Sequence, residues 1–112
     1  MFYQCDSLIS IDFKSFNSRN VTNMKFMFSG CTSFNKVNLS SFNTEKLANM
    51  SSMFKDCSAL ELLDLKSFNT KNVIDVTNMF KGCSSLAKLN LCSFNVSNAK
   101  NDGIFEGCIK LK

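Results

Sequence analysis

The chain has 112 residues, 45% of them hydrophobic and twelve of them Phe, with thirteen Lys plus Arg against nine Asp plus Glu for a formal net charge of +4. That length and apolar content suit one folded domain and exclude an intrinsically disordered chain. Charges of both signs are scattered throughout, which predicts a solvated surface and no nucleic-acid footprint, and the lack of a run of about 18 apolar residues predicts no membrane insertion.

The first ten residues, MFYQCDSLIS, lack the basic and long apolar regions of a signal peptide, so any export signal is expected outside this sequence. Cys5, Cys31, Cys57 and Cys83 then recur every 26 residues, with Cys108 following after 25, and Phe16, Phe42, Phe68 and Phe94 keep the same period. A fixed period of this length marks a repeat array. The repeats are residues 5–30, 31–56, 57–82 and 83–107, with partial repeats at 1–4 and 108–112, all in one solenoid domain.

In the first half of each repeat, the residues Leu60, Leu63, Leu65 and Phe68 and their counterparts give L-x-x-L-x-L-x-x-F-N. This resembles the leucine-rich-repeat frame, in which the L-x-L step is a short strand with alternate residues buried. Counterparts in the other repeats are Leu8, Ile11, Phe13 and Phe16, then Phe34, Val37, Leu39 and Phe42, then Leu86, Leu89, Leu91 and Phe94. One strand per repeat in one direction gives a parallel sheet, and the second half of the repeat must supply the crossover. There, Val21, Met24, Phe28 and Cys31, Leu47, Met50, Phe54 and Cys57, and Val73, Val76, Phe80 and Cys83 step by 3, 4 and 3 residues. That spacing predicts a two-turn helix with one face inward. Ser18, Thr44 and Thr70 stand where N-caps belong, and Gly30, Asp56, Gly82 and Gly107 where a left-handed C-terminal residue belongs. The fold expected is therefore an α/β repeat solenoid, with one short parallel β-strand and one short helix per 26 residues. Ala99, Asp102 and Ile104 replace Val73, Val76 and Met79 in a fourth repeat one residue short, so an inward Asp102 is expected to turn that helix into a loop.

The in-register cysteines suit buried filling of a small apolar slot. A ladder of identical positions offers no unique disulfide pairing, and with no His and no C-x-x-C spacing neither a metal site nor a cofactor is expected. Cys92 belongs to no ladder and is expected as an exposed thiol. Asn17, Asn43, Asn69 and Asn95 suit sharp turns. The Phe rows and the pairs Met27/Phe28, Met53/Phe54 and Met79/Phe80 are expected in the core.

The outward face of the sheet remains for recognition, as rows Ser10, Lys36, Leu62, Lys88, then Asp12, Asn38, Asp64, Asn90, then Lys14, Ser40, Lys66, Cys92. Candidate partner-binding residues are Lys36, Asn38, Leu62, Asp64, Lys66, Lys88 and Asn90. The segments LDLKSFNTKNVIDVTNMFKGCSSL and VNLSSFNTEKLANMSSMFKDCSAL resemble the BspA-like leucine-rich-repeat family over nearly the whole chain, departing at Ala99 to Gly103. The resemblance implies a non-catalytic adhesion or protein-binding module, at the cell surface or secreted, with protein or glycan partners. The alternative is a structural spacer or a self-assembling unit that stacks end to end as a homo-oligomer. Catalysis would fall to Asp12, Asp64 and Cys92, which are spread along a flat face, so no catalytic residue is assigned.

Overall fold

Leu60, Leu63, Leu65 and Phe68 turn fully inward and set the direction of the chain around them. The computed structural model describes Ser7, Phe13 and residues 17–108. Expectations for residues 1–4, Cys5, Leu8, Ser10, Ile11, Asp12, Lys14, Phe16 and residues 109–112 lie outside the described residues. The strands are β1 (Leu62–Asp64) and β2 (Lys88–Asn90), parallel, with Leu62 opposite Lys88, Leu63 opposite Leu89 and Asp64 opposite Asn90. Residues 36–38 belong to no strand; Glu61 N–H reaches the Asn35 carbonyl only at 3.5 Å.

The strands are three residues long because the Asn or Asp that closes each one turns the chain. Asp64 Oδ1 accepts the Lys66 N–H at 3.0 Å, as Asn38 does for Ser40 and Asn90 for Cys92. An Asx turn of this kind offers the backbone an alternative to continuing the ladder. The same device shapes a second corner, where Asn43, Asn69 and Asn95 accept from the N–H two residues on.

The expected helix in each second half does not form, and the described residues contain none. Met50, Ser52, Phe54 and Asp56 instead donate their N–H groups to the carbonyls of Asp75, Thr77, Met79 and Lys81 in the next coil, at 2.7–2.9 Å. The intervening Met53, Lys55 and Cys57 donate back to Met50, Ser52 and Phe54, closing four-residue β-turns. Ser52 and Asp56 have φ of 56° and 60°, and the left-handed rows run Phe26, Ser52, Asn78, Gly103 and Gly30, Asp56, Gly82, Gly107. A left-handed residue every fourth position cannot belong to an α-helix. Asn23, Asn49 and Asp75 start these segments with Asx turns onto Lys25, Ser51 and Thr77. A two-turn helix has little intrinsic stability to set against them. The inward residues are nevertheless the expected ones, because stacked turns at this spacing present Met50, Phe54 and Cys57 on the same side. Among the described residues Phe26 is the one bulky side chain at a left-handed position, a strain of about 1–2 kcal/mol.

Ser18, Thr44 and Thr70 are buried clips between coils, not N-caps. Thr44 Oγ1 donates to the Asn69 carbonyl and accepts the Asn69 N–H at 2.7 Å; Thr70 does the same for Asn95, and Ser18 for Asn43. Two aromatic columns complete the core. Phe28, Phe54, Phe80 and Phe105 stack at 5.4–5.9 Å between centroids, and Phe42, Phe68 and Phe94 at 6.1 and 6.4 Å.

The fourth coil holds the frame differently from expectation. Lys100 donates its N–H to the Ile74 carbonyl, as Ile74 does to Ala48, while its own carbonyl accepts from Val76, as that of Asp75 accepts from Met50. One residue thus fills two slots, and the deletion is absorbed there. Asp102 consequently takes the slot of Thr77 and is exposed, not inward, while Asn101 stands where Val76 did. No buried carboxylate results. Leu89, Leu91 and Phe94 are only half-buried where Leu63, Leu65 and Phe68 are fully so.

Replacing Thr70 with the isosteric Val leaves Asn95 N–H without its acceptor. Urea unfolding should show a loss of about 1–3 kcal/mol, whereas Asn69→Ala, which removes only an exposed turn bond, should cost less.

Candidate functional site

Alternation along the strands decides which side chains face solvent. Leu63 turns inward and its neighbours Leu62 and Asp64 turn out, so Leu62, Asp64, Lys88 and Asn90 form a four-cornered patch fixed by the β1–β2 register. Between them lies a shallow depression of about 460 Å³ floored by Leu63, Ala87 and Leu89. Leu62 is 54% exposed, the largest apolar group on this face, and lies directly opposite Lys88. Lys66 and Cys92 continue the face at the strand ends and are exposed; Asn90 is half-buried. Lys36 and Asn38 are exposed but stand outside the ladder, so the structure does not join them to the patch through strand bonds.

The polar rim is partly committed. Asp64, Asn38 and Asn90 each spend Oδ1 on a backbone N–H, which fixes their rotamers and leaves one outward atom, a carboxylate oxygen on Asp64 and an amide nitrogen on the asparagines. An apolar centre ringed by held polar groups and two lysines suits a protein surface better than a small molecule. Among the described residues no group of three His, Cys, Asp or Glu side chains converges to hold a metal. No helix among them is long and apolar enough to cross a membrane.

Sequence reasoning missed a second hollow of about 320 Å³ at the Asn corner, between Asn69, Lys71, Ser93, Asn95 and Asn98.

The cysteine ladder is structural chemistry. Cys57, Cys83 and Cys108 each donate S–H to the carbonyl of the Phe one coil back, Phe28, Phe54 and Phe80, at 3.0–3.1 Å. Burial pushes the Cys57 thiol far up and the Cys83 thiol from its ordinary value of 9.0 to about 12; Cys108 shifts the same way. None of the described cysteines is in a disulfide. Cys92 lies exposed on the face, in the row of Lys66.

The whole of residues 1–112 matches a family model described as "Mycoplasma protein of unknown function, DUF285". No curated protein matches the chain. Among solved structures, a leucine-rich-repeat protein from Bacteroides ovatus ATCC 8483 superposes with a TM-score of 0.65 at 24% identity, over 100% of this chain and 26% of its own. This chain thus spans about a quarter of that protein, and the likeness shows a leucine-rich-repeat fold. The T. pallidum leucine-rich-repeat protein TpLRR, 18% identical over 99% of this chain and 68% of its own, superposes with a TM-score of only 0.36.

A thiol reagent applied to the native protein should modify Cys92 first and reach Cys57 and Cys83 only on unfolding; equal labelling of all would contradict the burial. Because the folded thiols hold their protons above the ordinary value, their contribution is complete below about pH 9 and is lost as pH rises toward about 12. Urea midpoints should therefore be flat from pH 6 to 8 and fall above pH 9.

Proposed function

The chain belongs to that Mycoplasma family, and from this premise we propose that it is a non-catalytic binding module, a leucine-rich-repeat array of the BspA-like kind. It works at the cell surface or in secreted form, in adhesion, and meets protein or glycan partners through the outer face of the β1–β2 ladder. The observation that carries this reading is Leu62, 54% exposed on a strand face whose other outward groups are polar. A lone apolar side chain in that setting serves as the anchor of a contact, with Lys88, Asp64, Lys66 and Asn90 as its rim, and Lys36 and Asn38 extending it along the array. The absence of catalysis is supported by the residues on that face. The sequence has no His, and Asp64 already accepts a backbone hydrogen bond, so the Cys92 thiol has no evident base.

Partner capture on an array of immobilised extracellular proteins and glycans tests the reading. Leu62→Asp combined with Lys88→Glu should weaken binding at least about tenfold, roughly 1.4 kcal/mol, with an unchanged melting temperature. Asp64 is better tested as Asp64→Asn, which keeps the Oδ1 that accepts Lys66 N–H. Retained binding in all of these variants would remove the face from consideration.

A further inference from the structure

The Asn corner carries a second surface, chemically unlike the sheet face. Asn17, Asn43, Asn69 and Asn95 recur at the same place in successive coils, and each turns Oδ1 to a backbone N–H two residues on, at 3.1, 3.1, 3.0 and 3.4 Å. An amide whose oxygen is committed in this way leaves its nitrogen to point outward, so the corner presents a row of donors, one per coil. The main-chain acceptors beside them are spent, because the Asn43, Asn69 and Asn95 carbonyls take the hydroxyls of Ser18, Thr44 and Thr70. Residues 17–20, 43–46, 69–72 and 95–98 carry Arg19, Lys46 and Lys71 against Glu45 alone. Between the third and fourth coils the row opens into the hollow of about 320 Å³, whose lining includes exposed Lys71 and buried Val73. One coil back the same place is bridged: Asn72 Nδ2 donates to the Glu45 carbonyl at 2.7 Å, and Lys71 Nζ lies 3.9 Å from the Glu45 carboxylate. In the fourth coil Ser97 holds the position of Glu45 and Lys71 and is too short to bridge, and among the described residues the Asn98 amide makes no hydrogen bond.

We propose that this hollow binds an acidic sugar residue, a ring bearing a carboxylate or sulfate, within an anionic glycan that lies along the Asn row. The free groups dictate that chemistry. Asn69 Nδ2, Asn95 Nδ2 and the Lys71 ammonium can only donate, so the ligand must bring acceptors and negative charge. A carboxylate or sulfate on Lys71 and an amide nitrogen forms charge-assisted hydrogen bonds, the stronger kind. Ring and hydroxyl oxygens of the sugar accept from the remaining amides, and the C–H face of the ring meets Val73. An acidic peptide fits less well, because its backbone N–H groups need acceptors. The side-chain acceptors left in the hollow are Asn98 Oδ1 and the Ser93 oxygen, whose hydrogen already goes to the Phe68 carbonyl at 3.0 Å. Nucleic acid would need an aromatic platform, and none of the lining residues is aromatic. The site shares no residue with the patch around Leu62 and does not depend on it.

Titration calorimetry of the intact chain tests the proposal with oligogalacturonate, which carries only carboxylates, and sulfated dextran, which carries only sulfates. Neutral dextran and a polyglutamate peptide are the controls. At least one anionic glycan should bind and neither control should, and the glycan that binds identifies the anionic group. Asn69→Asp and Asn95→Asp keep the Oδ1 that holds the turn and replace an outward amide nitrogen with a charged oxygen. Each should weaken binding at least about tenfold, the loss expected when a hydrogen bond to a charged group is removed. Lys71→Gln, which leaves every turn bond in place, should weaken it too, so the result does not hang on the folding of the Asp variants. Lys55→Gln makes the same one-unit change of charge on the back of the solenoid and should leave binding unchanged. Failure of both anionic glycans to bind, equal binding of either control, or equal weakening by Lys55→Gln would overturn the proposal. So would full binding in the corner variants, and a loss on Leu62→Asp alone would move the glycan to the sheet face.

Discussion

Every second backbone N–H on the back of a coil points along the solenoid axis at the next coil, and the rest of the structure follows from that alternation. A buried polar backbone group must find a partner, and a chain that sends alternate groups outward has to close the remaining ones locally. The four-residue β-turns do so, and with them comes a left-handed residue every fourth position. Gly82 shows how tight the result is: its φ is 78°, and a Cβ there would overlap Asp56 Oδ1 in the coil before. The cysteine S–H groups complete the same accounting at the Phe carbonyls.

Hydrogen bonds of this kind set shape more than stability. Each contributes about 0.5–1.5 kcal/mol net, which roughly matches the cost of fixing one residue's backbone, about 1–2 kcal/mol. The surplus comes from apolar burial, at about 1.5–3 kcal/mol per large side chain, and the second and third coils each bury Met, Leu and at least two Phe, whereas the fourth has no Met and leaves Phe94 half-buried. The energetics are therefore divided by position. Recurring residues hold the coils together, and the variable outward ones are free to differ.

The inward pattern was legible in the sequence because burial depends on spacing, and Met50, Phe54 and Cys57 face the core whether the backbone between them is helical or a series of turns. The choice between those two was not legible from apolar spacing. It rests on Asn49 and Asp75, whose side chains bend the chain at the start of the segment, and on Ser52 and Asn78, which accept positive φ at a position the helix reading leaves right-handed. Of the row Asn38, Asp64, Asn90, the last two stand on strands and Asn38 on none, and the use of all three in turning the chain was hidden, since a polar side chain at that position reads the same with or without a turn. Asp102 was misplaced because counting from Cys83 cannot say where in a repeat a missing residue is made up.

Lys100, which serves two slots at once, has a consequence for how such arrays can vary in length. The stack reads the parity of the back segment and is indifferent to the total number of residues in a coil. A residue removed at the corner before Val76, Asn78, Phe80 and Gly82 or their equivalents leaves donors and inward side chains in phase, as the fourth coil demonstrates. One removed inside that segment would exchange outward amides for turn-closing ones and rotate Phe and Cys out of their columns. Coils of 25 and 26 residues can therefore neighbour one another without a seam, provided the difference falls at the corner.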